Sequence, residues 1–485
     1  MRARLLPLAL ASLLVLPAAA GEADPQPPPD DAAQSEPAQS EQAQQEPAQQ
    51  EPADPLPEEP AEPSAPADPA EAVGAEADEA PASSVPLEEI SRFVLVFNAV
   101  RAGHVDPVDD RDLMQAAIRG LLLDLDPHSA YLERSDAEAF EEGASGAYEG
   151  IGVEVMQLPD GRMRVVAPMD GSPAQLAGIR SGDVIIAVDG QALTPASHEG
   201  RGPLRGPPGT EVVVTLLRED APQPLELTVA RAVIRTPSVR GSLREPGFGY
   251  VRVAGFQADT ASDFAATVDR LKAEAGAGGL RGLLVDLRSN PGGLLTSAVQ
   301  IADDLLEQGA IVSTRGRIQV GDTAFNATPG DRMDGRPVVV LVDAGSASAS
   351  EVLAGALGDN GRACIVGSRT FGKGSVQTVM PLDNGDAVKL TTARYYTPSG
   401  TSIQARGIEP DIVLDGKGGE DSGMGEAGLP GHLASDDGED TGPGQVLSGD
   451  EPVRSALAVL RRLAGGGACE PLPDAPGGPA PTPAQ

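Results

Sequence analysis

Residues 336–377, RPVVVLVDAGSASASEVLAGALGDNGRACIVGSRTFGKGSVQ, place a strand, a serine-rich turn, a helix and a lone lysine in one run. Pro337 to Asp343 is rich in Val and Leu without polar alternation, which reads as a buried strand. Glu351 to Leu357 begins a helix, and Gly345-Ser346-Ala347-Ser348-Ala349-Ser350 joins the two. A serine at such a junction stands where unpaired backbone N–H groups and the positive end of a helix dipole converge, as the oxyanion of an acyl-transfer intermediate requires. Lys373 follows between Gly372 and Gly374.

Composition limits what can surround this run. The chain has 485 residues, 36 basic against 72 acidic, and a formal charge of −36. That balance excludes a nucleic-acid-binding surface as the leading reading, because phosphate neutralisation requires clustered Lys and Arg. Much of the charge lies in the ends, and no Lys or Arg occurs between Arg4 and Arg92. Residues 1–20 carry Arg2 and Arg4, an apolar run from Leu5 to Leu16 and Ala18-Ala19-Ala20, the order of a secretory signal cleaved after Ala20. The expected location is therefore the periplasm or cell envelope, in soluble form. Residues 21–86 repeat units such as Gln45-Glu46-Pro47-Ala48-Gln49 and cannot bury a core, so a disordered acidic spacer is expected there.

Cys364 and Cys469 sit in unlike contexts and are expected to be two separate thiols rather than a disulfide. His104, His128, His198 and His432 lie far apart without any CxxC or HExxH spacing, so neither a metal nor another cofactor is expected.

From Leu87 to residue 145 the apolar spacing is helical, with Ile90, Phe93, Val94 and Phe97 as one example, and suggests an accessory cap. His128, in Asp126-Pro127-His128-Ser129, is a rival base for Ser348 but reads better as a structural donor. Residues 146–234 alternate as short strands with turn signals at Pro159-Asp160-Gly161 and Asp189-Gly190. Residues 235–415 alternate strands with helices and imply α/β layering. Residues 416–485 form an acidic, Gly- and Pro-rich tail with one amphipathic helix at 452–464, which either docks on the core or a second subunit or is a disordered remnant.

A serine hydroxyl near neutral pH needs a base within hydrogen-bond reach. Lys373, between glycines and beside apolar strands, can serve if burial lowers its pKa enough to leave the neutral amine. If a strand begins near Val376, then Lys373, Ser375 and Gln377 share one face, which lets the Gln377 amide orient the amine.

The strand order of 146–234 and its Gly178 to Gly190 segment, GIRSGDVIIAVDG, resemble a PDZ domain. In that family a peptide adds a strand to a sheet edge while its terminal carboxylate rests in a nest of backbone N–H groups. The matching loop is Glu149-Gly150-Ile151-Gly152. The motifs LDPHSAYL (125–132), DLRSNPGGLL (286–295), GSASASE (345–351), TFGKGSVQ (370–377) and YYTPSG (395–400), in this order, resemble the carboxyl-terminal processing peptidases, or tail-specific proteases.

The resemblance implies an α/β, crotonase-like serine protease core with an inserted, mostly β PDZ domain and an N-terminal helical cap. It implies Ser348 as nucleophile, Lys373 as general base and Gln377 as its orienting amide. The N–H of Ala349 with that of Gly292, or else Gly293, would form the oxyanion hole, and Gly150, Ile151 and Gly152 would bind the peptide carboxylate. Ser346 and Ser350 are then turn and cap residues. Protein substrates would be captured by their free C-termini and cut through an acyl-enzyme; an adaptor lipoprotein and a homo-oligomer are compatible with this. The alternative is a catalytically silent PDZ scaffold or a regulatory partner of another protease.

Overall fold

The computed structural model describes residues 86–198, 202–317, 322–414, 425–442 and 444–471. The expected signal segment, and the spacer up to Val85, lie outside them.

The described chain opens with helices α1 (Leu87–Gly103) and α2 (Asp110–Leu123). The Asp109 side chain caps α2 by accepting the N–H groups of Arg111 and Asp112, two of the donors a helix start leaves unpaired. No residue of α1 is buried. The cap is stitched onward by a short strand, Ala130–Leu132, that pairs antiparallel with Ala387–Lys389, and α3 (Arg134–Ser145) follows.

A module then enters and leaves through neighbouring strands, Ala147–Gly150 and Ala232–Arg235, paired antiparallel. Such an entry lets an inserted domain grow without disturbing the layers on either side. Within it, strands Val153–Gln157, Met163–Pro168, Val184–Val188, Glu211–Leu217 and Leu225–Ala230 form an antiparallel sheet in that order, with Val153–Gln157 at one edge. Alternation does the packing: Val212, Val214 and Leu216 are fully buried while residues between them are not. The short helix α4 (Pro173–Leu176) is capped by the Ser172 hydroxyl, which accepts the Gln175 N–H at 3.2 Å.

The core sheet runs in the order 239–245, 248–253, 282–286, 338–342, 363–367, 412–413; only the first pair is antiparallel. Every residue of 282–286, 338–342 and 363–367 is buried, as expected of parallel strands covered on both faces. Leu283, Val285, Val338 and Val340 face α5 (Thr260–Glu274), α6 (Leu295–Leu305) and α7 (Ala349–Asp359). The intervening Leu284, Val339 and Leu341 pack with Val453, Leu457 and Leu460 of α8 (Glu451–Ala464).

The stretch beyond residue 416 is thus more than a tail with a helix in it. Its amphipathic helix is the second cover of the core sheet, and the close approach is tight enough that a Cβ on Gly282 would lie 2.8 Å from the Leu460 side chain. The two cysteines also depart from expectation: Cys364, on strand 363–367, is disulfide-bonded to Cys469, with Cα atoms 5.8 Å apart. Their separation of 105 residues leaves no spacing signal, and docking of α8 is what brings them together.

Between these anchors, residues 425–442 and 444–449 run across the core as a strap. Ser368 and Gln445 exchange hydrogen bonds, the Leu447 N–H donates to Asp343 at 3.1 Å, and Arg288 donates to the carbonyls of Leu447 and Gly449 at 3.0 Å. Asp343 is wholly buried and Arg288 is tied on its other side to the buried Asp286.

Candidate active site

Ser348 lies at the C-terminal end of strand 338–342, on the turn that opens α7, with φ 54° and ψ −114°. A non-glycine residue held there costs on the order of 1–3 kcal/mol, which the surroundings must offset. They do so with many bonds. Asp343 accepts the N–H groups of Ser289 at 2.7 Å and Gly345 at 2.9 Å, and Asn290 joins this turn to its neighbour by accepting the Ala347 N–H on its carbonyl.

Three serines compete for a role, and their hydroxyls separate them. Ser346 donates to the Leu287 carbonyl at 2.9 Å and Ser350 to the Asn290 carbonyl at 3.0 Å. Both are spent on backbone, in keeping with turn and cap duty. Ser348 donates to no group among the described residues, and at 8% exposure, against none for Ser346 and Ser350, it is the one of the three that reaches the surface of this turn.

The 286–295 motif presses against it. Gly292, at φ 101°, sits so close that a Cβ there would be 2.8 Å from the Ala347 carbonyl and 2.9 Å from the Ser348 Cβ. Its N–H, however, is committed to the Asn290 side-chain oxygen at 2.9 Å. The next amide, that of Gly293, and the Ala349 amide have no hydrogen-bond partner among the described residues. Of the two glycines left open by the motif, Gly293 is therefore the one with a donor to offer.

Lys373 lies half-buried in the loop between Phe371 and Gly374. Burial, aided by the nearby Lys389 ammonium, lowers its pKa; the carboxylates of Glu426, Glu351 and Asp126 oppose that shift. No hydrogen bond joins its amine to Ser348 or to Gln377 among the described residues. Gln377 follows a bulge between Val376 and itself, and its amide donates to Ser375 Oγ at 2.9 Å. Ser375 and Gln377 do share a face, whereas Lys373 precedes the strand and answers to the loop.

Serine and lysine are joined instead through a carboxylate. Glu351, fully buried on the first turn of α7, accepts the N–H groups of Ser348 at 2.7 Å, Gly372 at 2.7 Å and Lys373 at 2.9 Å, and the Thr370 hydroxyl at 2.6 Å. Burial raises its pKa to about 7 against the pull of these donors. The Ser-x-x-Glu spacing of a capping box was its signal in the sequence. A second buried carboxylate, Glu426, had none: it lies in a Gly-rich acidic stretch. His128 bonds it through Nε2 at 2.9 Å, so this histidine is engaged structurally, and it makes no hydrogen bond to Ser348 among the described residues.

In the inserted module, Gly150, Ile151 and Gly152 line a cavity of about 230 Å³ with Val153, Val155 and Met163. The N–H groups of Ile151 and Gly152 have no partner among the described residues, and the cavity runs along the edge strand Val153–Gln157.

Comparison with known proteins decides the family. The model for peptidase family S41 matches residues 247–414, and that for a PDZ domain matches 164–231. A carboxy-terminal-processing protease of Bartonella bacilliformis is 41% identical over 386 residues, covering 77% of this chain and 88% of that protein. This chain belongs to that family. The carboxy-terminal processing protease CtpA of Bacillus subtilis is 32% identical over 321 residues, or 66% of this chain and 67% of that one. Among solved structures, a photosystem II D1 C-terminal processing protease shares 34% identity, with a TM-score of 0.38, over 67% of this chain and 92% of its own. The S41 core with a PDZ domain, the mixed α/β fold and the serine-peptidase assignment expected from the motifs all stand. A peptidase so equipped takes protein substrates. Among the described residues, no helix is long and apolar enough to cross a membrane.

Proposed function

We propose that this peptidase cuts proteins near their free C-termini with Ser348 as nucleophile and Lys373 as general base. The observation that carries the reading is the Glu351 bridge, which fixes the backbones of both residues from one buried carboxylate. The neutral Lys373 amine takes the Ser348 proton as Oγ attacks the scissile carbonyl. The oxyanion is met by the N–H groups of Ala349 and Gly293. Collapse breaks the C–N bond, and the Lys373 ammonium returns its proton to the departing amine. Water then attacks the acyl-enzyme ester, giving its proton to Lys373, and Ser348 leaves with that proton. Because the two side chains are not hydrogen-bonded in this structure, substrate binding would have to bring Nζ to Oγ.

In the PDZ domain, the unpaired amides of Ile151 and Gly152 suit a terminal carboxylate, with Gly150 permitting the approach, and Val153–Gln157 offers its open edge to the peptide. Gln377 acts on the hydroxyl of Ser375 here, and a role for it in orienting Lys373 would require a rotated amide. Export to the periplasm or cell envelope rests on residues 1–20. Self-association is supported by α1, where Ile90, Phe93, Val94 and Leu95 are all exposed; delivery by an adaptor lipoprotein is compatible with the reading.

The deciding experiment is cleavage of an unfolded protein with a free C-terminus by the chain, by Ser348→Ala and by Lys373→Ala. Loss of about 10⁴-fold or more in both is expected. Activity surviving in either variant would transfer its role to another residue.

A further inference from the structure

The loop that carries Lys373 is held from the far end of the chain. Glu426, wholly buried in the strap, donates its backbone N–H to the Phe371 carbonyl at 2.9 Å. Its carboxylate accepts the Gln404 amide N–H at 3.0 Å, and the Gln404 side-chain oxygen accepts the Gly374 N–H at 3.1 Å. Two peptide groups of the lysine loop are therefore fixed, Phe371–Gly372 by Glu426 itself and Lys373–Gly374 through Gln404. His128 closes the set at 2.9 Å from the same carboxylate.

We infer that Glu426 is a positioning residue for Lys373, setting both the place of the lysine loop and the field in which its amine ionises. This rests on the Ser348 and Lys373 reading above and adds a participant that lies outside the five motifs. A carboxylate enclosed without solvent can be kept only if its bonds are satisfied, and that of Glu426 is met by Gln404, which in turn holds the base's loop, and by His128. Its charge also has a direction of effect. A negative group beside an amine favours the ammonium form, so removing the charge makes the neutral base available at lower pH. The other charged groups facing Lys373 are Lys389, Glu351 and Asp126; His128 and His432 face Glu426.

The test uses the full chain with Glu426→Gln, Glu426→Ala and Lys373→Ala, following kcat and KM for an unstructured reporter peptide with a free C-terminus from pH 6 to 10, beside the thermal midpoint of each variant. Glu426→Gln preserves size and keeps one oxygen to accept the Gln404 amide, and should shift the rising limb of the pH profile to lower pH by about half a unit or more. Glu426→Ala should lower kcat by about tenfold or more with KM little changed. If Glu426→Gln keeps the wild-type limb, the inference is overturned, even where the thermal midpoint falls, since a purely structural residue would do that much. If Glu426→Ala does not fold, Glu426→Gln alone decides. Activity in Lys373→Ala would instead remove the Ser348 and Lys373 reading, and the positioning role with it.

Discussion

Ser348 and Gly292 meet so closely that the turn has no room for a methyl group. Placing Ala at 292 puts a Cβ 2.8 Å from the Ala347 carbonyl on a backbone at φ 101°, so both strain and contact act together. Gly292→Ala should cost about 1–3 kcal/mol of stability and displace Ser348, with kcat falling further than the thermal midpoint suggests; the two are measured on one preparation. Lys373 acts through the charge on its amine. Its pKa is lowered by burial, so the neutral base appears at a pH below that of a free lysine, and activity should rise with pH through that lowered value. A flat kcat/KM over the range where the chain stays folded would count against a lysine base. Glu351 behaves in the opposite sense: its pKa is raised, so the stability it gives is full below the ordinary glutamate range and is lost as pH climbs through about 7.

Elements carried their own signatures unevenly. The strand 338–342 was legible because Val and Leu fill it without alternation, and a strand covered on both faces has no polar side to show. The PDZ strands were legible through period-two patterning and turn residues. What α8 covers was not, because an apolar stripe says that a helix has a buried face without saying which surface meets it. The disulfide hid for the same reason, and Glu426 was invisible among the Asp, Glu and Gly around it. Which glycine amide is free near Ser348 also depended on one side chain, that of Asn290, beyond the reach of sequence spacing. The edge strand Val153–Gln157 and the Ile151 and Gly152 amides give an element-scale expectation. A peptide amidated at its C-terminus should bind the chain at least tenfold more weakly than its acid, by calorimetry, and equal affinities would remove the carboxylate role of that loop.

Over the whole molecule, the Cys364–Cys469 bond closes a loop that contains Lys373, the strap and α8. Reducing it should lower stability by about 2–5 kcal/mol, read as a fall in the thermal midpoint with reductant that a Cys364→Ala, Cys469→Ala chain shows without it. Ribosomes deliver a chain from its N-terminus, so the PDZ domain, Ser348 and Lys373 exist before residues 425–471 do. During that interval the lysine loop lacks Glu426, the core sheet lacks one of its covers, and Cys364 has no partner. The protease is thus expected to be born latent: its competence is conferred by residues made after Ser348 and Lys373, and a product ended before them would carry the reactive residues without the means to use them.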